Sequence, residues 1–164
     1  MSMQSFSTAD LLDQHPESTV MMEDFISFGM NTSFFGQAKT IYAPEDNSLV
    51  RQALETDGNN QVLIVDGGGS RACALIGDQL ALLAIKNNWA GIVVHGYIRD
   101  SAVISEMPVG IKALGTNPRK SDKQNRGEMN IKLTIAQITV KPGNWVYSDA
   151  DGIIIAEQNL LAPK

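Results

Sequence analysis

Three charged side chains in the middle of the chain, Asp78, Arg99 and Asp100, are of types that could share one chemical task. The planar guanidinium fork of an arginine holds a carboxylate through two parallel hydrogen bonds. An aspartate offers hard oxygen donors of the kind Mg²⁺ or Mn²⁺ prefers, and such cations take one or two carboxylates and keep several waters. Asp78 follows Gly77 and precedes Gln79 and Leu80 at the head of an apolar run. There the unpaired backbone N–H groups of a helix start could grip an anion. One aspartate, one helix N-terminus and one arginine could thus bind a divalent cation and a small 2-oxo acid. Each piece also has a plainer reading. Asp78 alone is a common N-cap, and Arg99 with Asp100 could be a surface ion pair worth little.

The elements that must bring these residues together lie within residues 61–101. Val62-Leu63-Ile64-Val65 reads as a buried strand running into Asp66 and three glycines. Residues 77–88 read as a helix, ended by Trp89-Ala90-Gly91. Ile92-Val93-Val94 reads as a second buried strand that delivers residues 95–100 at its carboxyl end. Twenty residues separate Asp78 from Arg99, and a helix followed by a returning strand restores both to one end. Ligands of α/β folds collect at such ends.

Other signals are weaker. Gly67-Gly68-Gly69-Ser70-Arg71-Ala72 fits G-x-G-x-x-A after a strand. It lacks a convincing acidic partner farther on and has no Gly-Lys-Ser/Thr, so it reads as a structural turn. The single cysteine, Cys73, permits no intrachain disulfide and reads as a packed thiol. Two histidines, His15 and His95, supply a His-based triad or metal site poorly. The net charge of −5 argues against direct nucleic-acid binding, which needs a basic face, and leaves room for a basic protein segment. No run of 18 apolar residues and no basic-then-apolar leader pattern appears, so a cytoplasmic protein that does not enter the membrane is expected.

Along the rest of the chain, residues 7–13 read as a short helix capped by Thr8, and residues 20–25 as a strand or bridging segment. Residues 37–43 read as a strand and residues 48–56 as a helix capped by Asn47 or Ser48. A helical turn over 101–105 and a strand over 109–114 follow. Residues 117–129, with Lys120, Lys123 and Arg126 among them, read as an exposed charged loop, with a role in binding as the lesser reading. A strand or hairpin over 131–140 and strands at 145–147 and 153–156 complete the pattern. With no repeat or linker, residues 1–164 read as one α/β domain whose second half closes a β-sandwich or barrel, with flanking helices.

The chain is similar to the RraA-like family: the regulator of ribonuclease E activity A and the related 4-hydroxy-4-methyl-2-oxoglutarate aldolases. The residues carrying the resemblance are Thr8-Ala9-Asp10-Leu11, Glu45-Asp46-Asn47, Val65-Asp66-Gly67-Gly68-Gly69, Gly77-Asp78, Gly96 with Arg99-Asp100, Pro118-Arg119-Lys120-Ser121, and Pro142-Gly143 followed by Asp149-Ala150-Asp151-Gly152. Asn144 stands where the family often has Asp, and Ile135-Ala136-Gln137-Ile138 where a Gly-Gly turn is common. The aldolase branch keeps an Asp, twenty residues, then Arg-Asp, matched here by Asp78, Arg99 and Asp100. The resemblance implies a swivelling-type β/β/α domain, a homotrimer and a divalent-metal lyase that forms pyruvate enolate. It would cleave 4-hydroxy-4-methyl-2-oxoglutarate and decarboxylate oxaloacetate. Asp100 would hold Mg²⁺ or Mn²⁺. Gly77, Asp78, Gln79 and Leu80, with Arg99, would hold the substrate, and Asp78 would orient a proton-shuttling water. The alternative is a non-catalytic protein that docks on ribonuclease E.

Overall fold

The computed structural model describes residues 5–161. In chain order its elements are helix α1 (Thr8–Gln14), strands β1 (Thr19–Val20), β2 (Ile26–Phe28) and β3 (Phe34–Tyr42), helix α2 (Ser48–Leu54), and strands β4 (Val62–Asp66) and β5 (Ala74–Ile76). Helix α3 (Asp78–Lys86), strands β6 (Gly91–His95) and β7 (Tyr97–Ile98), and helix α4 (Ser101–Ile104) form the middle. Strands β8 (Ile111–Ala113), β9 (Gly115–Thr116), β10 (Glu128–Met129), β11 (Leu133–Ile135), β12 (Ile138–Val140), β13 (Trp145–Asp149) and β14 (Gly152–Ala156) complete the chain.

The main sheet runs β1-β14-β13-β3-β4-β6-β8-β2, with β10 paired to β3. Strands β3, β4, β6 and β8 are mutually parallel, and antiparallel strands flank them. A parallel centre must be covered on both faces, so its strands are apolar throughout rather than alternating. Val62, Leu63, Ile64 and Val65 are all buried, as are Ile92, Val93 and Val94. One face takes Leu63, Val65, Ile92 and Val94 into a core shared with α2 and α3. The other gathers Val62, Ile64 and Val93 with Val146, Ile153 and Ile155 from β13 and β14, and with Leu133 and Val140 of the β11–β12 hairpin. Packing β6 and β14 into one cluster requires the sheet to curl, which gives the barrel-like half expected from the sequence. Each such side chain contributes about 1.5–3 kcal/mol by leaving water.

Several local readings change. Ser7, not Thr8, is the N-cap of α1, its Oγ accepting from the Asp10 N–H at 3.3 Å. Thr8 is buried instead, and its N–H and Oγ1 donate to the Asp149 carboxylate at 2.8 and 2.7 Å. Strand β3 starts three residues earlier than the alternation suggested. Residues 20–25 hold only the end of β1 before an irregular link to β2. Strands β5, β7, β9 and β10 are too short to leave a periodic trace in sequence. Residues 117–129 are not merely solvated: Ser121 is buried and β10 pairs with β3.

Candidate functional site

A small second sheet, ordered β5-β7-β9, builds the site. After β6 the chain does not continue straight to Arg99. It leaves the main sheet at Gly96, and β7 pairs with β5 in parallel, Ala74 opposite Tyr97 and Ile76 opposite Ile98. Whatever follows two adjacent parallel strands emerges side by side. Gly77 and Asp78 follow β5, and Arg99 and Asp100 follow β7. The Arg99 N–H donates to the Ile76 carbonyl at 2.9 Å, which fixes the register of the two exits.

Gly77 is the N-cap of α3 in extended backbone, and Asp78 is the first helical residue rather than the cap. The Asp78 N–H donates to Asp100 Oδ2 at 3.0 Å, so one free amide of the helix start already holds a carboxylate. Asp100 itself adopts the left-handed region, φ 59° and ψ 36°, which Asp tolerates better than most residues. That turn lets the two adjacent side chains serve one place. A Cβ on Gly77 would lie 2.8 Å from Asp100 Oδ2 and 3.5 Å from Arg99 Nε. A side chain at 77 would therefore force the Asp100 carboxylate to move, a reason for glycine invisible in the sequence.

These residues line a cleft of about 160 Å³. A cavity near 150 Å³ holds a benzene-sized molecule, so the space suits a small acid. Gly77, Asp78, Gln79, Leu80, Arg99 and Asp100 all contribute to its lining. So do Asn47 and Arg51 from the start of α2, and Lys120, Ser121 and Lys123 from the 117–127 loop. Sequence reasoning held binding by this loop only as the lesser option, because the contacts that place it span more than 70 residues. Ser121 Oγ donates to Asn47 Oδ1 at 2.6 Å, and Asn47 Nδ2 donates to the Leu75 carbonyl at 3.0 Å. The fully buried Asp46 carboxylate accepts from the Gln124 and Arg126 N–H groups at 2.6 and 3.2 Å, and from Ser48 N and Oγ. Burial alone would raise its proton affinity. The hydrogen bonds from Ser48, Gln124 and Arg126 outweigh it and hold the carboxyl far below the usual range.

A family model described as RraA-like, Aldolase/RraA, matches residues 8–155. The chain belongs to the RraA-like family. A protein of Aromatoleum aromaticum named "Putative 4-hydroxy-4-methyl-2-oxoglutarate aldolase" is 48% identical over 157 residues, covering 95% of this chain and 99% of that one. A Pseudomonas putida protein of the same name is 44% identical over 163 residues, covering 99% and 100%. Among solved structures, one titled S-adenosylmethionine: 2-dimethylmenaquinone methyltransferase from Geobacillus kaustophilus superposes with a TM-score of 0.95 at 45% identity, covering 97% of this chain and 99% of that chain. The RNA-processing inhibitor RraA from Thermus thermophilis follows with a TM-score of 0.92 at 40% identity, covering 98% and 96%.

In this RraA-like chain, no three His, Cys, Asp or Glu side chains gather as a metal cage among the described residues. A cation held at Asp100 would thus draw one or two protein oxygens and complete its shell with water and substrate. That donor set fits a hard divalent ion such as Mg²⁺. Other polar residues stand apart from the cleft. His95, at the end of β6, donates from Nε2 to Glu23 Oε2, 2.9 Å away, and its Nδ1 lies 3.7 Å from Asp66 Oδ1. The Asp66 and Glu23 carboxylates raise its proton affinity against the opposing effect of burial. Cys73 is buried and its thiol pKa is raised, chiefly by that burial, which makes it a poor nucleophile. Gly67, Gly68 and Gly69 lead to β5, with no helix behind them.

Proposed function

We propose that this RraA-like protein is a divalent-metal-dependent carbon–carbon lyase that forms pyruvate enolate. Its reactions are retro-aldol cleavage of 4-hydroxy-4-methyl-2-oxoglutarate and decarboxylation of oxaloacetate. The observation that carries the reading is the side-by-side exit of β5 and β7, which puts a helix N-terminus, Asp78, Arg99 and Asp100 into one small cleft. The names of relatives 44–48% identical support it.

The remaining N–H groups at the start of α3 and the Arg99 guanidinium bind the C1 carboxylate and C2 oxygen of the 2-oxo acid. When bound at Asp100, a divalent cation supplies positive charge to the oxygen on which negative charge develops. In retro-aldol cleavage a water oriented by Asp78 takes the C4 hydroxyl proton. The C3–C4 bond breaks, its electron pair forms the enolate, and one pyruvate leaves. In decarboxylation the same bond breaks with loss of CO₂. The enolate then takes a proton at C3 from that water, giving pyruvate. Arg99 stabilises the enolate throughout.

The second reading, a protein that docks on ribonuclease E, draws on the Thermus inhibitor at 40% identity and on the net charge of −5, which suits a basic partner. Methyl transfer, which the Geobacillus protein's name carries, finds no nucleotide-type glycine loop among the described residues of this chain. The glycine run opens a strand rather than the helix N-terminus that a nucleotide-binding glycine loop needs. Pyruvate release from oxaloacetate with Mg²⁺ tests the lyase reading. EDTA abolishes it, and Asp100→Asn lowers it at least 100-fold while the melting temperature holds. Turnover that persists in Asp100→Asn at saturating Mg²⁺ removes Asp100 from the mechanism. A wild type inert with every divalent metal puts the docking reading ahead.

A further inference from the structure

Both strands that carry the site depart from one place in the main sheet, and an imidazole stands there. Asp66 ends β4 and lies opposite His95, which ends β6. From Asp66 the chain turns through Gly67, Gly68 and Gly69 toward β5 and Asp78, and from His95 it turns through Gly96 into β7 and on to Arg99. The His95 carbonyl accepts from the Gly67 and Gly69 N–H groups, both at 3.0 Å, so the two departures are tied together. The ring packs against the same turn, where a Cβ on Gly69 would meet its Cε1 at 3.4 Å. Its Nε2 bond to Glu23, at 2.9 Å, fastens the link between β1 and β2, and Phe25 of that link meets the ring edge-to-face. Nδ1 is buried, has no hydrogen-bond partner among the described residues, and stops 3.7 Å from Asp66 Oδ1. That oxygen also accepts from the Gly68 N–H at 2.8 Å. The charged groups that act on the ring, among the described residues, are these two carboxylates. Asp24, next in the link, is exposed, and Lys112 on the neighbouring β8 turns its ammonium to the Asp149 carbonyl. A neutral imidazole carries one N–H and one lone pair. Between two carboxylates it satisfies one and points its lone pair at the other, whereas the imidazolium donates to both. The His95 and Asp66 side chains are only 14% and 15% exposed, so water screens that difference weakly.

We propose that His95 is a positioning residue for this site, a proton-operated clasp. As imidazolium it draws Glu23 and Asp66 onto one ring and fixes the point from which β5 and β7 leave the main sheet. Its effect on the reaction rests on the lyase reading; the clasp itself does not. His95 lies outside the lining of the cleft and acts through the two strands. Closing the gap between Nδ1 and Asp66 carries the glycine turn along, because the same Asp66 oxygen holds Gly68. Opening it frees the turn and Gly96, and with them the relative placement of Gly77-Asp78 and Arg99-Asp100. A misplacement of about 1 Å costs up to roughly 100-fold in rate. The carboxylates of Asp66 and Glu23 raise the proton affinity of the ring against the opposing effect of burial. The folded pKa therefore lies above the unfolded value of about 6.5. The stabilisation is fully present below that unfolded value and is lost as pH rises through the folded one, so the site loosens on the alkaline side.

The test follows the ring and the site separately. In NMR titrations the two histidine ring signals are told apart by His15→Gln. In wild type, His95 titrates above about 6.5, and the Gly77, Asp78 and Arg99 amide signals move with the same midpoint. Asp66→Asn keeps an acceptor for Gly68, and Glu23→Gln keeps one for Nε2. Each lowers the His95 midpoint and the amide midpoints together, and His95→Gln abolishes the amide titration. In pyruvate release from oxaloacetate with Mg²⁺, wild-type kcat falls on the alkaline side at the His95 midpoint. That fall moves to lower pH in both carboxylate variants. His95→Gln lacks it and holds a kcat roughly tenfold lower with little change in KM, as lost positioning requires. Should His95→Gln fail to fold, the two carboxylate variants carry the test. A His95 midpoint at or below 6.5, or one that neither carboxylate variant moves, overturns the clasp. Amides at 77, 78 and 99 that ignore the midpoint overturn its coupling to the site, and a kcat profile that stays put in both carboxylate variants overturns its part in the reaction. A wild type inert at every pH overturns the lyase reading alone, since the amide titration still decides the clasp.

Discussion

At the scale of single residues, the sharpest claim concerns Arg99. Its backbone is pinned to Ile76 and its guanidinium Nε lies close to where a Cβ on Gly77 would be. A clamp at that position makes two parallel bonds to a carboxylate. Lysine keeps the charge and loses the fork, so Arg99→Lys is not conservative. Losing one charge-assisted hydrogen bond, about 1.5–3 kcal/mol, lowers catalytic efficiency roughly 10- to 150-fold, and Arg99→Ala lowers it further. A surface ion-pair partner would instead cost under about 1 kcal/mol of stability and leave turnover alone. Pyruvate release by the three proteins, each checked for an unchanged melting temperature, decides. Equal rates would end the clamp assignment.

At the scale of elements, the β11–β12 hairpin gives a stability prediction. Ile135 pairs with Ile138, leaving a two-residue turn at Ala136 and Gln137. Both adopt positive φ, 50° and 68°. That is the geometry of a type I′ turn, which suits the right-handed twist of the strands and favours Gly or Asn. The chain thus pays for two side chains in a region that disfavours them. Ala136→Gly and Gln137→Gly should each stabilise by about 0.5–1 kcal/mol, less than the intrinsic left-handed penalty of roughly 1–2 kcal/mol because glycine also frees the unfolded chain. In a chain of this length that is an upward shift of roughly 1–4 °C. Thermal unfolding that shows no rise for either variant would mean that the turn relaxes. The other departure from the family pattern needs no such compensation: the Asn144 side chain accepts from the Lys141 N–H at 2.9 Å and closes the turn at Pro142-Gly143.

At the scale of the molecule, two buried carboxylates set the acid limit. Asp46 ties the 117–127 loop to α2. Asp149 ties α1 to the β13–β14 hairpin through Thr8 and accepts from the Asp151 N–H. Both carboxyls are depressed, because hydrogen bonds outweigh the burial that would raise them. A group whose folded pKa lies below its unfolded value stabilises above the unfolded value, about 3.9 for Asp, and loses that contribution as pH falls through the folded one. These two carboxyls should keep their contribution to the melting temperature from pH 7 to about 5 and lose it below about 4, while His95, whose proton affinity is raised, adds stability as pH falls toward its unfolded value of about 6.5. Asp46→Asn should cost about 2 kcal/mol at pH 7, with the gap to wild type closing in acid. A constant gap across that range would show that charge is not what Asp46 contributes. The same scale holds the proposed assembly. Leu82 on α3 and Val103 on α4 are about half exposed, at 51% and 53%, on the two helices that start at the cleft. A homotrimer that covers such side chains near the site follows the family resemblance and the common closed symmetry of oligomers. Light scattering at working concentration should give three times the 17.8 kDa chain mass, and a monomer mass would remove the trimer from the proposal.

What the sequence determined by itself is what local residues carry. The buried strands at 62–66 and 91–95 are apolar without alternation, which is how a parallel strand covered on both faces must read. Helix α3 announced itself by Gly77-Asp78 before an apolar stretch; spacing allowed Asp78, Arg99 and Asp100 to meet, and the family resemblance marked the three as a set. What only the tertiary structure decided is how they meet. The two-residue strand β7 leaves the main sheet at Gly96 and pairs with β5, and strands that short have no periodicity to read. The need for glycine at 77 comes from a carboxylate 23 residues away, and the basic wall at Lys120 and Lys123 is placed by Asp46 and Asn47 across more than 70 residues. Periodicity records whether a side chain is buried, not which distant group it is buried against. The charged loop therefore looked solvated until the chain had folded around two buried polar residues on α2's approach.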